Sequence, residues 1–171
     1  MYLSNIKVSN FKTFKKATID LGKFNILIGS NASGKSNFIN ILKFLKDISE
    51  NGLYSAISQQ GGIEYIRNVK IKSSEKLSIE INFVFDEKGD MLITKKKEGD
   101  GHFGILAKEM KYILSIEFYK TSINTYKSLN EYYELSFDVI DIKNIKDYKS
   151  TKKTNILDSG KVVVTNNNGD V

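Results

Sequence analysis

Residues Phe24–Leu45 read "FNILIGSNASGKSNFINILKFL". The opening is a compact apolar run that stops at Gly29, the pattern of a strand covered on both faces. From Lys35 the period changes. Phe38, Ile41, Leu42, Leu45 and Ile48 recur at helical spacing, which predicts an amphipathic helix to about Glu50 with Asn51-Gly52 as its C-cap. Between strand and helix, Gly29-Ser30-Asn31-Ala32-Ser33-Gly34-Lys35-Ser36 fits G-x-x-x-x-G-K-[ST], the phosphate loop.

Each part of that loop has a physical reason. Phosphate oxygens need donors with no bulky side chain in the way, so Gly29 and Gly34 let the backbone curl until consecutive N–H groups point inward. The helix starting near Lys35 adds its positive N-terminal end. Lys35 is expected to reach the β- and γ-phosphates, and the Ser36 hydroxyl to hold Mg²⁺. Ser30, Ala32 and Ser33 are small residues that lend their N–H groups, while Asn37 caps or packs at the helix start. Chance alone would give this pattern in roughly one chain of this length in a hundred. Its strand-loop-helix context makes a nucleotide, ATP or ADP with Mg²⁺, the expected ligand.

On either side the chain alternates. Tyr2 to Phe11 suits a half-buried strand, and Lys15 to Leu21 should pair with it as a hairpin. "LYSAISQQGGIEYIRN" reads as a short helix broken at Gly61-Gly62. Beyond it lie "KLSIEINFVF", "MLITKKK", "KYILSIEFYK" and "EYYELSFDVIDI", which predict an antiparallel meander. "DEKGD" is expected to turn the chain, the glycine-rich "GDGHFG" to be a loop holding His102 exposed, and "TSINTYKSLN" to be a loop. "GKVVVT" reads as a last strand and "NNNGD" as a hairpin turn. A turn with nothing to return to suggests a chain cut short or a split gene. The expected class is α/β and P-loop NTPase-like: a mixed sheet with the loop helix, plus an antiparallel meander. The chain is expected to form one domain, with the P-loop core over 1–50, a helical connection over 51–75 and a β-rich part over 76–171.

With 171 residues, 40% of them apolar and including nine Tyr and ten Phe, the chain is large enough to bury a core. It has no Cys and a single His, which excludes disulfides and thiolate chemistry and leaves no His or Cys set for a transition metal. No apolar run is long enough to span a bilayer, and the N-terminus lacks a signal-peptide core, so a cytoplasmic protein is expected. The net charge of +6 gathers in Lys95–Lys97 and from Lys143 to Lys153. A basic balance can serve a polyanion, although scattered lysines more often only solvate a surface.

The stretch "IKVSNFKTFKKATIDLGKFNILIGSNASGKSNFINILKFL", Ile6 to Leu45, resembles the N-terminus of the SMC/RecF class of ABC-type ATPases. Asn10, Phe11, Lys12 and Phe14 match that class's "NFK-x-F" element, and Asn31 and Asn37 match the asparagines flanking its loop. The resemblance implies the first lobe of an ATPase head, with ATP closed over by a second head and hydrolysis driving work on DNA or on a partner nuclease. It also implies a nucleotide contact for Lys12, with a solvated lysine as the alternative. Asn31 is either near the γ-phosphate or a turn residue in a left-handed backbone.

The class's second lobe carries a signature motif, a Walker B pair and a switch histidine. None is clear in this chain. "INFVFDE" fits a Walker B pattern with Asp86 on Mg²⁺ and Glu87 polarising water, but its alternation favours a hairpin end. Gln59 and Gln60 are the only glutamines available for the γ-phosphate-sensing role, with a surface loop as the plainer reading, and His102 is not expected to be the switch. The first reading is therefore an incomplete ATP-binding lobe. The alternatives are a small self-sufficient NTPase using Asp86 and Glu87, and a basic nucleic-acid module whose loop is vestigial.

Overall fold

The computed structural model describes residues 1–68, 70, 75–86, 91–97, 101–118, 126–143 and 155–168. The strands are β1 (Tyr2–Phe11), β2 (Phe14–Asp20), β3 (Leu77–Val84), β4 (Met91–Lys95), β5 (His102–Phe118), β6 (Tyr126–Ile142) and β7 (Asn155–Asn168). They form one seven-stranded sheet in the order β2-β1-β3-β5-β6-β7, with β4 also on β5. Every pairing among the described strands is antiparallel, so the mixed sheet that was expected is not found among them. Two helices, α1 (Lys35–Gln59) and α2 (Ile63–Ile66), complete the described elements.

Alternation decides which face of the sheet is dry. Ile6 and Val8 of β1, Leu77, Ile79 and Ile81 of β3, and Tyr112, Leu114 and Ile116 of β5 form one core with Phe38, Ile41 and Phe44 of α1. Phe44 and Phe11 are fully buried, with ring centroids 5.8 Å apart. The other face is polar: Lys7 pairs with Glu80 at 2.8 Å and Lys161 with Glu134 at 2.9 Å. Tyr112, on the core side, gives its hydroxyl proton to Glu131 at 2.7 Å, and burial with that carboxylate raises its pKa.

Five further expectations are corrected. The apolar run Lys23–Gly29 is not a strand, and Phe24, Ile26, Leu27 and Ile28 are exposed. A doubly covered strand needs a hydrogen-bonded neighbour, and none of the described strands pairs with this run. Asn25 instead closes a local turn, accepting from Gly22 N–H at 2.9 Å and donating to Gly22 O at 2.8 Å.

β3 and β4, on either side of "DEKGD", run in the same direction, where a reversal was expected. β3 pairs with residues 109–116 of β5 and β4 with residues 102–106, so the two lie one after the other along the same edge of β5. His102, expected in a loop, begins β5 between Lys95 and Ile142 and is half-buried. β6 begins at Tyr126, inside the expected loop, and β7 carries Asn166–Asn168 in strand conformation. In both segments the long partner strand goes on offering ladder hydrogen bonds, and these override polar side chains. Glu87 and the lysines at 146–153 lie outside the described residues.

The helix expectations hold, including the break at Gly52 and the second helical stretch interrupted at Gly61-Gly62. Gly52, at φ 78° and ψ 162°, interrupts α1 where the C-cap was expected, and the helix resumes to Gln59.

Candidate functional site

The loop from Gly29 to Ser36 leads into α1 at Lys35. Two backbone positions make the bend. Ala32 and Gly34 have φ of +62° and +99°, so the left-handed residue is Ala32 and not Asn31. Gly29 serves another need: a Cβ there would lie 2.8 Å from Ser33 Oγ. With the Ser33 hydroxyl where it is, the loop leaves no room for a Cβ at that point.

The first helical bond runs from Phe38 N–H to Gly34 O at 2.9 Å, and no side chain caps the helix. The earlier N–H groups of the first turn therefore have no intrahelical acceptor. Lys35 curls back over the loop. Its ammonium donates to Gly29 O at 2.6 Å, Ser30 O at 2.7 Å and Ser33 Oγ at 3.2 Å. Glycine-tight backbone, a lysine held over it and an uncapped helix start thus bring positive charge and free N–H donors to one end of the loop. Ser36 follows, exposed, with its hydroxyl at the same helix end.

The β1–β2 turn leans against that end. Asn37 Nδ2 donates to Thr13 Oγ1 at 2.6 Å, and the Phe14 ring lies 3.8 Å from where a Cβ on Gly34 would stand. Lys12, expected on resemblance alone, is thus next to residues that touch the loop helix. Its backbone is left-handed at φ +48°, and its ammonium donates to Gln60 Oε1 at 2.9 Å. Partial burial lowers the pKa of that ammonium. Gln60 is half-buried here and Gln59 exposed.

Asp86 goes elsewhere. Its carboxylate lies 2.6 Å from Lys23 Nζ and 3.8 Å from the N-terminal amine, and the Lys23 bond holds its pKa below the usual range. Val84 pairs with Tyr2, at the opposite end of β1 from Thr13. Nine residue steps of strand separate those ends, about 30 Å at ~3.3 Å per residue. Asp86 and Ser36 cannot share a metal in this arrangement.

Sequence reasoning missed Thr13 as the support of Asn37 and Asn68 as a tie on β1. Asn68 N–H donates to Asn10 O at 2.9 Å and Lys12 N–H to Ile66 O at 2.8 Å. No local pattern marks such pairs, because each joins residues distant in sequence.

The fold and the loop together define a P-loop ATPase domain. The chain matches the AAA ATPase domain family over residues 1–168 and belongs to it. It is of the SMC/RecF type within that class. Endonuclease GajA of Bacillus cereus is 45% identical over 47 residues, 28% of this chain and 8% of that protein. DNA replication and repair protein RecF of Lactobacillus acidophilus is 44% identical over 46 residues, 26% of this chain and 12% of that one. Old nuclease of Escherichia phage P2 is 28% identical over 116 residues, 63% of this chain and 20% of that one. The chain thus spans a fifth or less of the length of these relatives.

Proposed function

We propose that this chain is the ATP-binding lobe of an SMC/RecF-like ATPase, working with a second lobe and a second head. The observation that carries the reading is the cradle: Gly29 and Gly34 shaping the loop, Lys35 folded over it, and an uncapped helix end behind. Gly29, Ser30, Asn31, Ala32, Ser33 and Gly34 would supply backbone donors, Lys35 the cation for the β- and γ-phosphates, and Ser36 a Mg²⁺ ligand. Asn37, and Lys12 from the neighbouring turn, would line the same end. Bound Mg·ATP supplies the phosphoanhydride whose cleavage drives the work.

Orientation and charge are what these residues give, and they are not enough for fast turnover. Asp86 is tied to Lys23 far from Ser36, so the self-sufficient NTPase reading loses its metal ligand. The exposed Phe24–Ile28 run becomes intelligible as a strand awaiting neighbours from the second lobe. The work is proposed to be on DNA or through a nuclease, in line with the names of the relatives, and in the cytoplasm. Among the described residues no helix is long and apolar enough to cross a membrane.

Titration calorimetry with Mg·ATP tests the reading. Wild type should give saturable heat and Lys35→Ala should lose it. No heat from well-folded wild type, or no effect of Lys35→Ala, would refute it. Phosphate release should be negligible from this chain alone, and steady release abolished by Glu87→Gln would revive the self-sufficient reading.

A further inference from the structure

The Asn10–Phe14 turn touches two things at once. On one side Thr13 holds Asn37 in the first turn of α1, and Phe14 backs Gly34. On the other side Lys12 N–H donates to Ile66 O, Asn10 O accepts from Asn68 N–H, and Phe11 bridges to Arg67. A side-chain link across the gap is the Lys12 ammonium on Gln60 Oε1, at 2.9 Å.

Gln60 stands at a mechanical junction. It ends α1, and Gly61 and Gly62 follow with φ of +93° and +114°, conformations that glycine enters at little cost. Beyond them α2 is a single short turn, held by the contacts with Lys12 and Asn10 and by the burial of Ile63 and Ile66. An ammonium bonds more strongly to a charged phosphate than to a neutral amide oxygen. Lys12 has a left-handed backbone and a partly buried ammonium, so charge there gains most from an anionic partner.

Resting on the nucleotide reading of the loop, we propose that Gln60 is a positioning residue that holds Lys12 and yields it to a nucleotide phosphate, so that loop occupancy is passed to the Gly61–Asn68 segment. The two acceptors compete for one cation. The glycine pair then lets the segment shift without straining α1.

Hydrogen–deuterium exchange over the full chain, with and without Mg²⁺ and a non-hydrolysable ATP analogue, tests this. The analogue should slow exchange at residues 29–38 and quicken it at 61–68 by about tenfold. Lys12→Met should need more analogue to protect the loop, and at a saturating concentration the loop should be protected while the 61–68 response disappears. Gln60→Ala removes the competitor and should bind the analogue ~5-fold tighter, whereas Gln60→Glu should bind it ~10-fold more weakly. A glutamine that only packs would lower the melting temperature and leave affinity alone. No protection at 29–38 in wild type overturns both the nucleotide reading and the relay. Protection there with 61–68 unchanged, or a 61–68 response that survives Lys12→Met, overturns the relay only. Should Lys12→Met fail to fold, unchanged affinity in Gln60→Glu does the same.

Discussion

Gly29→Ala perturbs the loop without touching its charge. The backbone at Gly29 is not left-handed, so alanine suffers no conformational penalty there. Its Cβ, however, would lie 2.8 Å from Ser33 Oγ, 0.6 Å inside the 3.4 Å limit of ordinary contact, and 3.8 Å from Lys35 Nζ. Ser33 must rotate its Oγ away and give up the bond to Lys35, or the loop must open. Either way Lys35 is disturbed, since it is bonded to Gly29 O and Ser33 Oγ at 2.6 and 3.2 Å. The loop is exposed, so folding stability should change by less than ~0.5 kcal/mol. Losing one charge-assisted bond to phosphate costs about 1.5–3 kcal/mol, which weakens nucleotide binding ~10- to 150-fold. Adding Ser33→Ala removes the clashing oxygen and leaves a Cβ–Cβ distance of 3.4 Å, so the double variant should regain most of the affinity. Mg·ADP calorimetry beside urea unfolding reads both quantities. Wild-type affinity in Gly29→Ala would refute the steric argument. So would a double variant no tighter than Gly29→Ala while Ser33→Ala alone binds normally.

Three further outcomes are expected. Phe44→Ala removes a fully buried ring stacked near Phe11 and should cost about 3–5 kcal/mol in urea unfolding. Gly160→Ala sets a Cβ 2.7 Å from Phe137 Cζ; overpacking should cost about 1–3 kcal/mol, largely restored by Phe137→Leu. Acid should loosen the outer sheet. The Ser159 hydroxyl and then Lys108 hold Asp138 below the usual carboxylate range, and the Tyr132 hydroxyl and then Lys161 do the same for Glu134. Unfolding returns both to about pH 4, so their stabilisation is complete above that value and is lost as pH falls through the lower folded values. Urea midpoints from pH 6 to pH 2 should show this decline, with a shallower slope in Asp138→Asn.

Much of the sheet was legible from alternation. β1 ran from Tyr2 to Phe11 as read, and β3 buried Leu77, Ile79 and Ile81 as their spacing required. Period-2 patterning reports a face and says nothing of a neighbour. "DEKGD" looked like a reversal because its residues favour turns, yet β4 lies along β5 past the end of β3. Phe24–Ile28 failed for the complementary reason: apolar content marks a segment for burial, but a strand forms only where another offers hydrogen bonds. The helix stripe missed Phe44, whose burial depends on Phe11 reaching it from β1.

What the amino-acid sequence determined alone is the loop motif from Gly29 to Ser36. Its glycines, lysine and serine act within a dozen residues, so local spacing carries the whole of its chemistry. What only the tertiary structure decided is everything that reaches across the chain: Thr13 on Asn37, Lys12 on Gln60, and Asp86 on Lys23 at the wrong end of the sheet. Such contacts depend on strand order and register, and those are settled by how all the apolar faces are buried together.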